Sequence, residues 1–384
     1  MNRLEELIHE LCPDSVNYIR IGDFLEYEQP AKYIVKSTKY DDSYLTPVLT
    51  AGQSFILGYT NEEEGIYNAS PKKPVIIFDD FTAAFKWVDF DFKVKSSAMK
   101  LLRTKNNEVL MRYLFHVMGF LNYSSSEHKR LWISTYAEIK IPVPPIEVQR
   151  EIVHILDKFT ELTAELTAEL TARKKQYQYY LNHYFESQLD NLVSLDALGI
   201  LTRGKRFVHA DATRQGVPCI HYGEIYTYYG VYANDVKSHI REELRPKMRY
   251  AHKGDVIIVG AGENNIDIGI GVAWEGDEGV AVHDACYILR HSQNSKYISY
   301  FLRSDMYHSQ IKKYVSEGKI CSISAKGLGK AMIPLPSIAE QQKIVEILDR
   351  FDALCNDLTN GLPAEIEARQ KQYEYYRDKL LSFK

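Results

Sequence analysis

The cationic side chains of this 384-residue chain gather in clusters beside aromatic residues and glycine. That combination suits a phosphate backbone, because Lys and Arg neutralise phosphates and glycine lets the main chain come close. One cluster comprises Lys86, Lys93, Lys95, Lys100, Arg103 and Lys105 beside Trp87 and Phe92. A second begins with Arg203, Lys205 and Arg206 around Gly204 and continues with Arg241, Arg245, Lys247, Arg249 and Lys253. A third holds Lys312, Lys313, Lys319, Lys326 and Lys330. Taken singly, each cluster suits a solvated surface equally well.

Residues arranged for bond-making chemistry are missing. Gly260-Ala-Gly262 lacks the further glycine and the Lys-Ser/Thr pair of a phosphate loop. No FxGxG accompanied by (N/D/S)PP(Y/F), the pair an adenine methyltransferase needs, is present. Glu127-His-Lys129 and Glu138-Ile-Lys140, with Asp79, Asp80, Asp89 or Asp91 upstream, offer a nuclease reading, but two-letter patterns of this kind arise readily by chance. Neither GxSxG nor HExxH occurs. The five cysteines stand singly and the twelve histidines lack ligand spacing, so the sequence predicts no catalytic residue, no metal site and a reducing compartment.

What positions the basic clusters is a duplicated framework. IPVPPIEVQREIVHILDKF (Ile141–Phe159) returns as IPLPSIAEQQKIVEILDRF (Ile333–Phe351), with 11 of 19 positions identical at an offset of 192. ARKKQYQYY (Ala172–Tyr180) returns as ARQKQYEYY (Ala368–Tyr376), with seven of nine identical at an offset of 196. The remainder repeats more faintly, as in Val75–Phe78 against Val256–Val259. A repeat of this density marks a duplicated unit.

Each block opens with prolines that favour extended backbone and then takes up helical spacing. Ile152, Ile155, Leu156 and Phe159 carry the first apolar stripe; Ile344, Ile347, Leu348 and Phe351 carry the second. About forty helical residues span roughly 60 Å and need a partner along their length. The chain's second copy supplies one, which predicts an intramolecular antiparallel coiled coil. Between the blocks of the first copy lies a tandem LTAE tetrad, Thr160–Arg173. A four-residue period turns about 40° per repeat, so its leucines wind round the helix and the run reads as an adjustable spacer, each tetrad adding roughly 6 Å. In the second copy Gly361 and Pro363 should interrupt the helix.

The regions between the helices read as mixed sheet and turn, with strands expected at 74–79, 85–95, 254–263, 268–275 and 281–290, and helices near 108–119 and 296–307. The expected division is therefore 1–145 (variable), 146–189 (long helix), 190–337 (variable) and 338–384 (long helix). Residues 1–145 carry 17 basic and 19 acidic side chains, whereas residues 191–337 carry 18 and 15, so only the second variable region is basic. The net charge of -4 and the 45% hydrophobic content exclude wholesale disorder. No apolar run reaches membrane-spanning length and the N-terminus is no signal peptide, so the expected location is the cytoplasm.

Variable–helix–variable–helix, with the two proline-led blocks, the LTAELTAELTA spacer, ARKKQYQYY and ARQKQYEYYRDKLLSF, resembles the specificity subunit of type I restriction–modification systems. The resemblance covers essentially the whole chain. It implies an α+β fold in which two mixed α/β target recognition domains are separated by two long helices, with a pseudo-two-fold internal repeat. It further implies a non-catalytic subunit in which each recognition domain reads one half of a split site in double-stranded DNA. The helices would hold the domains apart and dock two methyltransferase subunits, and restriction/translocase subunits would join them. S-adenosylmethionine, ATP and Mg²⁺ would belong to those partners, and no membrane is involved. On this reading DNA contacts fall to Lys86, Trp87, Lys93, Lys95, Lys100, Arg103, Arg203, Lys205, Arg206, Arg245, Lys247, Lys319 and Lys326. Partner contacts fall to Ile152, Leu156, Tyr177, Tyr180, Ile344, Leu348, Tyr373 and Tyr376. The rival reading is a coiled-coil scaffold carrying two ligand-binding domains that do not bind DNA.

Overall fold

In both halves of the chain the continuous apolar runs become central strands, fully buried because neighbours cover both faces. The computed structural model describes residues 3–52, 54–123, 129–187 and 191–383. Its helices of interest are α1 (Met111–Leu121), α2 (Ile146–Ser187), α3 (Ser295–Phe301), α4 (Ile338–Asn356) and α5 (Leu362–Leu381). Residues 1–166 with 366–384 form one compact unit, and residues 167–365 form the second.

In unit 1, strands β1 (Leu25–Glu28), β2 (Val75–Asp79), β3 (Phe85–Val88) and β4 (Met99–Thr104) form an antiparallel sheet in the order β1-β4-β2-β3. Unit 2 repeats that order with β5 (Gly199–Arg203), β6 (Tyr232–Ala233), β7 (Val256–Val259), β8 (Ala261–Gly262), β9 (Gly271–Trp274), β10 (Cys286–His291) and β11 (Cys321–Ser322). Its main sheet runs β5-β10-β7-β9-β6, and β8 pairs separately with β11. Val75–Phe78 on β2 and Val256–Val259 on β7 are completely buried. The single strand expected over 85–95 is split. β3 ends at Val88, and Lys93–Val94 pairs instead with Thr46–Leu49 in a second sheet. The helix expected at 296–307 is likewise two, Ser295–Phe301 and Asp305–Ile311, divided where Ser304 caps the second.

The proline-led segments form short strands before their helices. Lys140–Val143 pairs antiparallel with Asn17–Arg20, and Met332–Pro334 with Leu192–Ser194. Helix α2 then continues without interruption through the LTAE tetrads. Its threonines are accommodated by bonding back one turn: the Thr160, Thr163 and Thr171 hydroxyls donate to the carbonyls of Leu156, Phe159 and Thr167. Residues 188 and 189 of the expected first helix lie outside the described residues.

The second long helix differs from a single element over 338–384, because 357–361 form a turn between α4 and α5. Asp357 Oδ1 accepts hydrogen bonds from the Thr359 and Asn360 amides at 2.7 and 3.2 Å. A Cβ on Gly361 would stand 2.5 Å from the Ala353 carbonyl oxygen. Pro363 falls in the first turn of α5, where a missing N–H costs nothing.

Within each unit a stretch of α2 pairs antiparallel with a C-terminal helix. In unit 1 Phe159 stacks on Tyr376 at 5.1 Å, and Ile152 and Leu156 share a core with Leu381. In unit 2 Tyr180 stacks on Phe351 at 5.3 Å, and Leu181 and Phe185 share a core with Ile344 and Leu348.

The repeat reappears in the hydrogen bonds. Buried Gln149 accepts from the Leu110 amide (2.9 Å) and donates to the Pro144 carbonyl (2.8 Å). Buried Gln341 accepts from the Asn294 amide (3.1 Å) and donates to the Pro336 carbonyl (2.9 Å). The Tyr113 and Tyr297 hydroxyls donate to the Pro142 and Pro334 carbonyls at 2.9 and 2.8 Å. Asp157 accepts from Arg112 (2.7 Å) and His116 (2.9 Å), and Asp349 from Lys296 (2.9 Å) and Tyr300 (2.7 Å). Glutamines, carboxylates and prolines keep the offset of 192, whereas the residues facing them keep one of 184. Each unit therefore locks α1 or α3 to the proline-led segment and the long helix that follows it through the same three anchors.

Candidate nucleic-acid interface

The basic residues of unit 1 divide sharply by environment. Lys93 and Lys100 are each only 1% exposed. Lys93 pairs with Glu62 at 3.1 Å and Lys100 with Asp80 at 3.4 Å. Asp80 also accepts from the Trp132 amide. The inward faces of their strands hold these two lysines, which corrects their assignment to DNA. Trp87 is half-buried: it packs against Phe115, with the Arg112 guanidinium 4.7 Å from its ring, so part of its surface is already occupied. Lys86 is half-buried on edge strand β3, and Lys95 is exposed. Arg103 is exposed and pairs with Glu28 at 2.7 Å. Burial pushes the Glu28 carboxyl up, but its bonds to Lys32 and Tyr33 and the nearby Arg103 charge outweigh this and hold it low. Arg103 lines a cleft of about 460 Å³ together with Lys72 and Lys73. Those two lysines were missed by the clustering, although the proline-flanked PKKP run marks an exposed turn.

In unit 2 the predicted cations are exposed, and several are joined. Lys205, Arg206, Lys247, Lys319 and Lys326 all face solvent. Arg249 donates to the Arg203 carbonyl (2.5 Å), bringing the segment that follows the Glu242–Lys247 turn against the end of β5. Arg245 on that turn is held by Glu242, as Arg241 is by Asp211. The loop 204–207 is pinned from beneath. Gly204 and Lys205 donate to the carbonyls of Cys286 and Val282, and His283 Nε2 donates to the Phe207 carbonyl at 3.1 Å. Arg203 also lines a cleft of about 310 Å³ with Tyr287, Tyr314, Ser316, Ser322 and Ser324. Lys313 and Lys330 lie 5.2 and 4.9 Å from the Tyr314 ring, so the third basic cluster adjoins the second.

The residues assigned to partner subunits also separate. Ile152, Leu156, Ile344 and Leu348 are buried in the chain's own cores, which corrects their assignment, since helix pairing consumes that stripe. Tyr177 and Tyr373 are half-buried. Tyr373 approaches His116 Nδ1 at 3.0 Å. Tyr180 and Tyr376 are each 38% exposed, and the neighbouring Tyr179 and Tyr375, which the sequence reading left out, are 61% and 62% exposed. The two YY pairs thus reach equal exposure in separate units.

Several carboxylates of the nuclease reading have other occupations. Asp79 accepts from the Phe81 and Thr82 amides, Asp80 is paired with Lys100, and Glu138 with Arg20. Glu127 lies outside the described residues. Among the described residues no group of three His, Cys, Asp or Glu is placed to hold a metal ion. Among them, too, no helix is long and apolar enough to cross a membrane.

A family model described as the type I restriction modification DNA specificity domain matches residues 13–173 and again 201–368. The specificity subunit of the type I restriction enzyme EcoR124I/EcoR124II of Escherichia coli is 41% identical over 404 aligned residues, covering 100% of this chain and 97% of that one. The crystal structure of a type I restriction–modification S subunit from M. genitalium superposes with a TM-score of 0.57 at 14% identity, over 96% of this chain and 97% of the other. A structure from a study of type I R-M complex assembly gives 0.56 at 17% identity, over 96% and 98%. Two matches of one specificity-domain model, one on each repeat, and full-length similarity to a specificity subunit agree: the chain belongs to the type I restriction–modification specificity subunit family.

Proposed function

We propose that this chain reads a bipartite DNA sequence for a type I restriction–modification complex, with the recognition domains at 1–145 and 190–337 each taking one half-site. The observation that carries this reading is a duplicated frame, identical in its buried anchors, that presents two different exposed basic surfaces. Lys and Arg on those surfaces position each domain on phosphates, and loop side chains read base edges. The helical segments 146–189 and 338–384 set the distance between half-sites and dock two methyltransferase subunits. The exposed Tyr179–Tyr180 and Tyr375–Tyr376 pairs are the repeated contact. Restriction/translocase subunits complete the assembly in the cytoplasm. Members of this family are non-catalytic, and S-adenosylmethionine, ATP and Mg²⁺ act in the partners. Nothing observed favours the scaffold reading.

The test is methylome sequencing of a host expressing this chain with its methyltransferase partner. The expected result is one methylated, asymmetric, interrupted motif that disappears when this chain is omitted. Absence of any motif dependent on this chain overturns the function.

A further inference from the structure

One part of unit 2 has no counterpart among the described residues of unit 1. In unit 1 the connection from β2 to β3 takes five residues, 80–84, closed by Asp79. In unit 2 the equivalent connection, β7 to β9, takes eleven, 260–270. The extra length forms β8, which pairs with β11 so that Ala261 faces Ser322 and Gly262 faces Cys321. Two tips leave this ribbon, 263–267 and 317–320, and Asn265 Nδ2 donates to Glu317 between them at 3.3 Å. Ile268, fully buried, anchors the return of the first tip.

The tips carry side chains that the fold does not use. Ile266 is 77% exposed and Ile320 is 64% exposed. Isolated aliphatics at the ends of loops add nothing to a core and cost solubility. Asn264, Asn265 and Lys319 stand beside them. Each flank carries a cation among carboxylates: Lys312 edges a cleft of about 720 Å³ with Asn265, Ile266, Asp305 and Glu317, and exposed Arg203 edges the cleft at Ser316 and Ser322 beside Asp284.

We infer that the β8–β11 ribbon enters the major groove of the half-site taken by unit 2, and that Ile266, Asn265, Lys319 and Ile320 determine its base preference. The inference rests on the function proposed above. A two-stranded ribbon fits a groove about 12 Å wide. Aliphatic carbons match a thymine methyl, an asparagine amide matches adenine, and a lysine matches guanine. The cations on either side meet the two phosphate walls. The five-residue turn of unit 1 cannot reach in the same way, so the two half-sites are read by different devices.

The full chain, expressed with its methyltransferase partner, tests this through the double variant Ile266→Ala/Ile320→Ala and through Lys319→Gln. All these positions are exposed, and thermal unfolding should match the unsubstituted protein. Methylome sequencing is expected to show one half-site relaxed at one or more positions, with discrimination falling roughly tenfold or more, and the other half-site unchanged. Both variants should affect the same half. An unaltered motif, or methylation weakened evenly on all sequences, overturns base reading by the ribbon while leaving the proposed function intact. If the unsubstituted chain directs no bipartite motif, the proposed function itself fails, and the ribbon's role with it.

Discussion

Lys95 and Lys100 differ by five positions and by almost everything else. Lys95 is solvated, whereas Lys100 is enclosed against Asp80, with its ammonium 4.8 Å from the Tyr27 ring. Removing one partner of a buried pair strands the other charge, so Lys100→Ala should destabilise unit 1 by about 3–5 kcal/mol. Lys95→Ala should leave the melting temperature unchanged and weaken DNA binding evenly across sequences. Thermal unfolding and DNA-binding titrations check the pair, and equal melting temperatures for both variants would remove the structural role given to Lys100. Sequence reasoning grouped these lysines because charge is visible in a sequence and strand facing is not. Lys93 and Lys100 lie on strands whose inward positions are otherwise apolar, and their acidic partners, Glu62 and Asp80, are distant or unremarkable in sequence. The anchors Gln149, Gln341, Asp157 and Asp349 stood in the repeated blocks in plain view. Nothing in a polar side chain on a helix announces that it will be buried.

At the scale of elements, helix α2 carries the tetrads without a break, and their leucines drift round it instead of forming a seam. Deleting one tetrad, Thr163–Leu166, keeps the helix helical and keeps every anchor within each unit. Both half-sites should therefore stay the same while the preferred spacer between them shortens. Methylome sequencing of the deletion variant reads this directly, and altered bases in either half-site would refute the spacer role. This much of the architecture was legible because helical periodicity and proline are strong local signals. The interruption at Gly361 was legible for the same reason. The recognition sheets were less so: the strand expected over 85–95 serves two sheets, and the choice between them is made by pairing partners far away in sequence.

The whole molecule holds its imidazoles unevenly. Burial depresses His116 in unit 1, outweighing its hydrogen bond to Asp157, which favours the charged ring. Burial also depresses His221, His283, His291 and His308 in unit 2. A histidine whose folded value lies below its unfolded value of about 6.5 stabilises the fold above that pH, and the contribution is lost as the pH falls toward the folded value. Asp352 opposes this loss, since burial raises its carboxyl, but only nearer the carboxylate range. Acidification from pH 7.5 to 5.5 should therefore loosen unit 2 more than unit 1, by at most about 1.4 kcal/mol per histidine for each pH unit. Hydrogen exchange mapped along the chain at the two pH values measures it, and greater acid sensitivity in unit 1 would contradict the assignment.

The division of the chain between its units also sets an order of assembly during synthesis. Unit 2 is one uninterrupted segment, 167–365, whereas unit 1 needs both 1–166 and 366–384. Leu381, fully buried, closes the core that Ile152 and Leu156 begin. The first unit to leave the ribosome is thus the last to be finished, and until α5 is made its apolar helix face waits open.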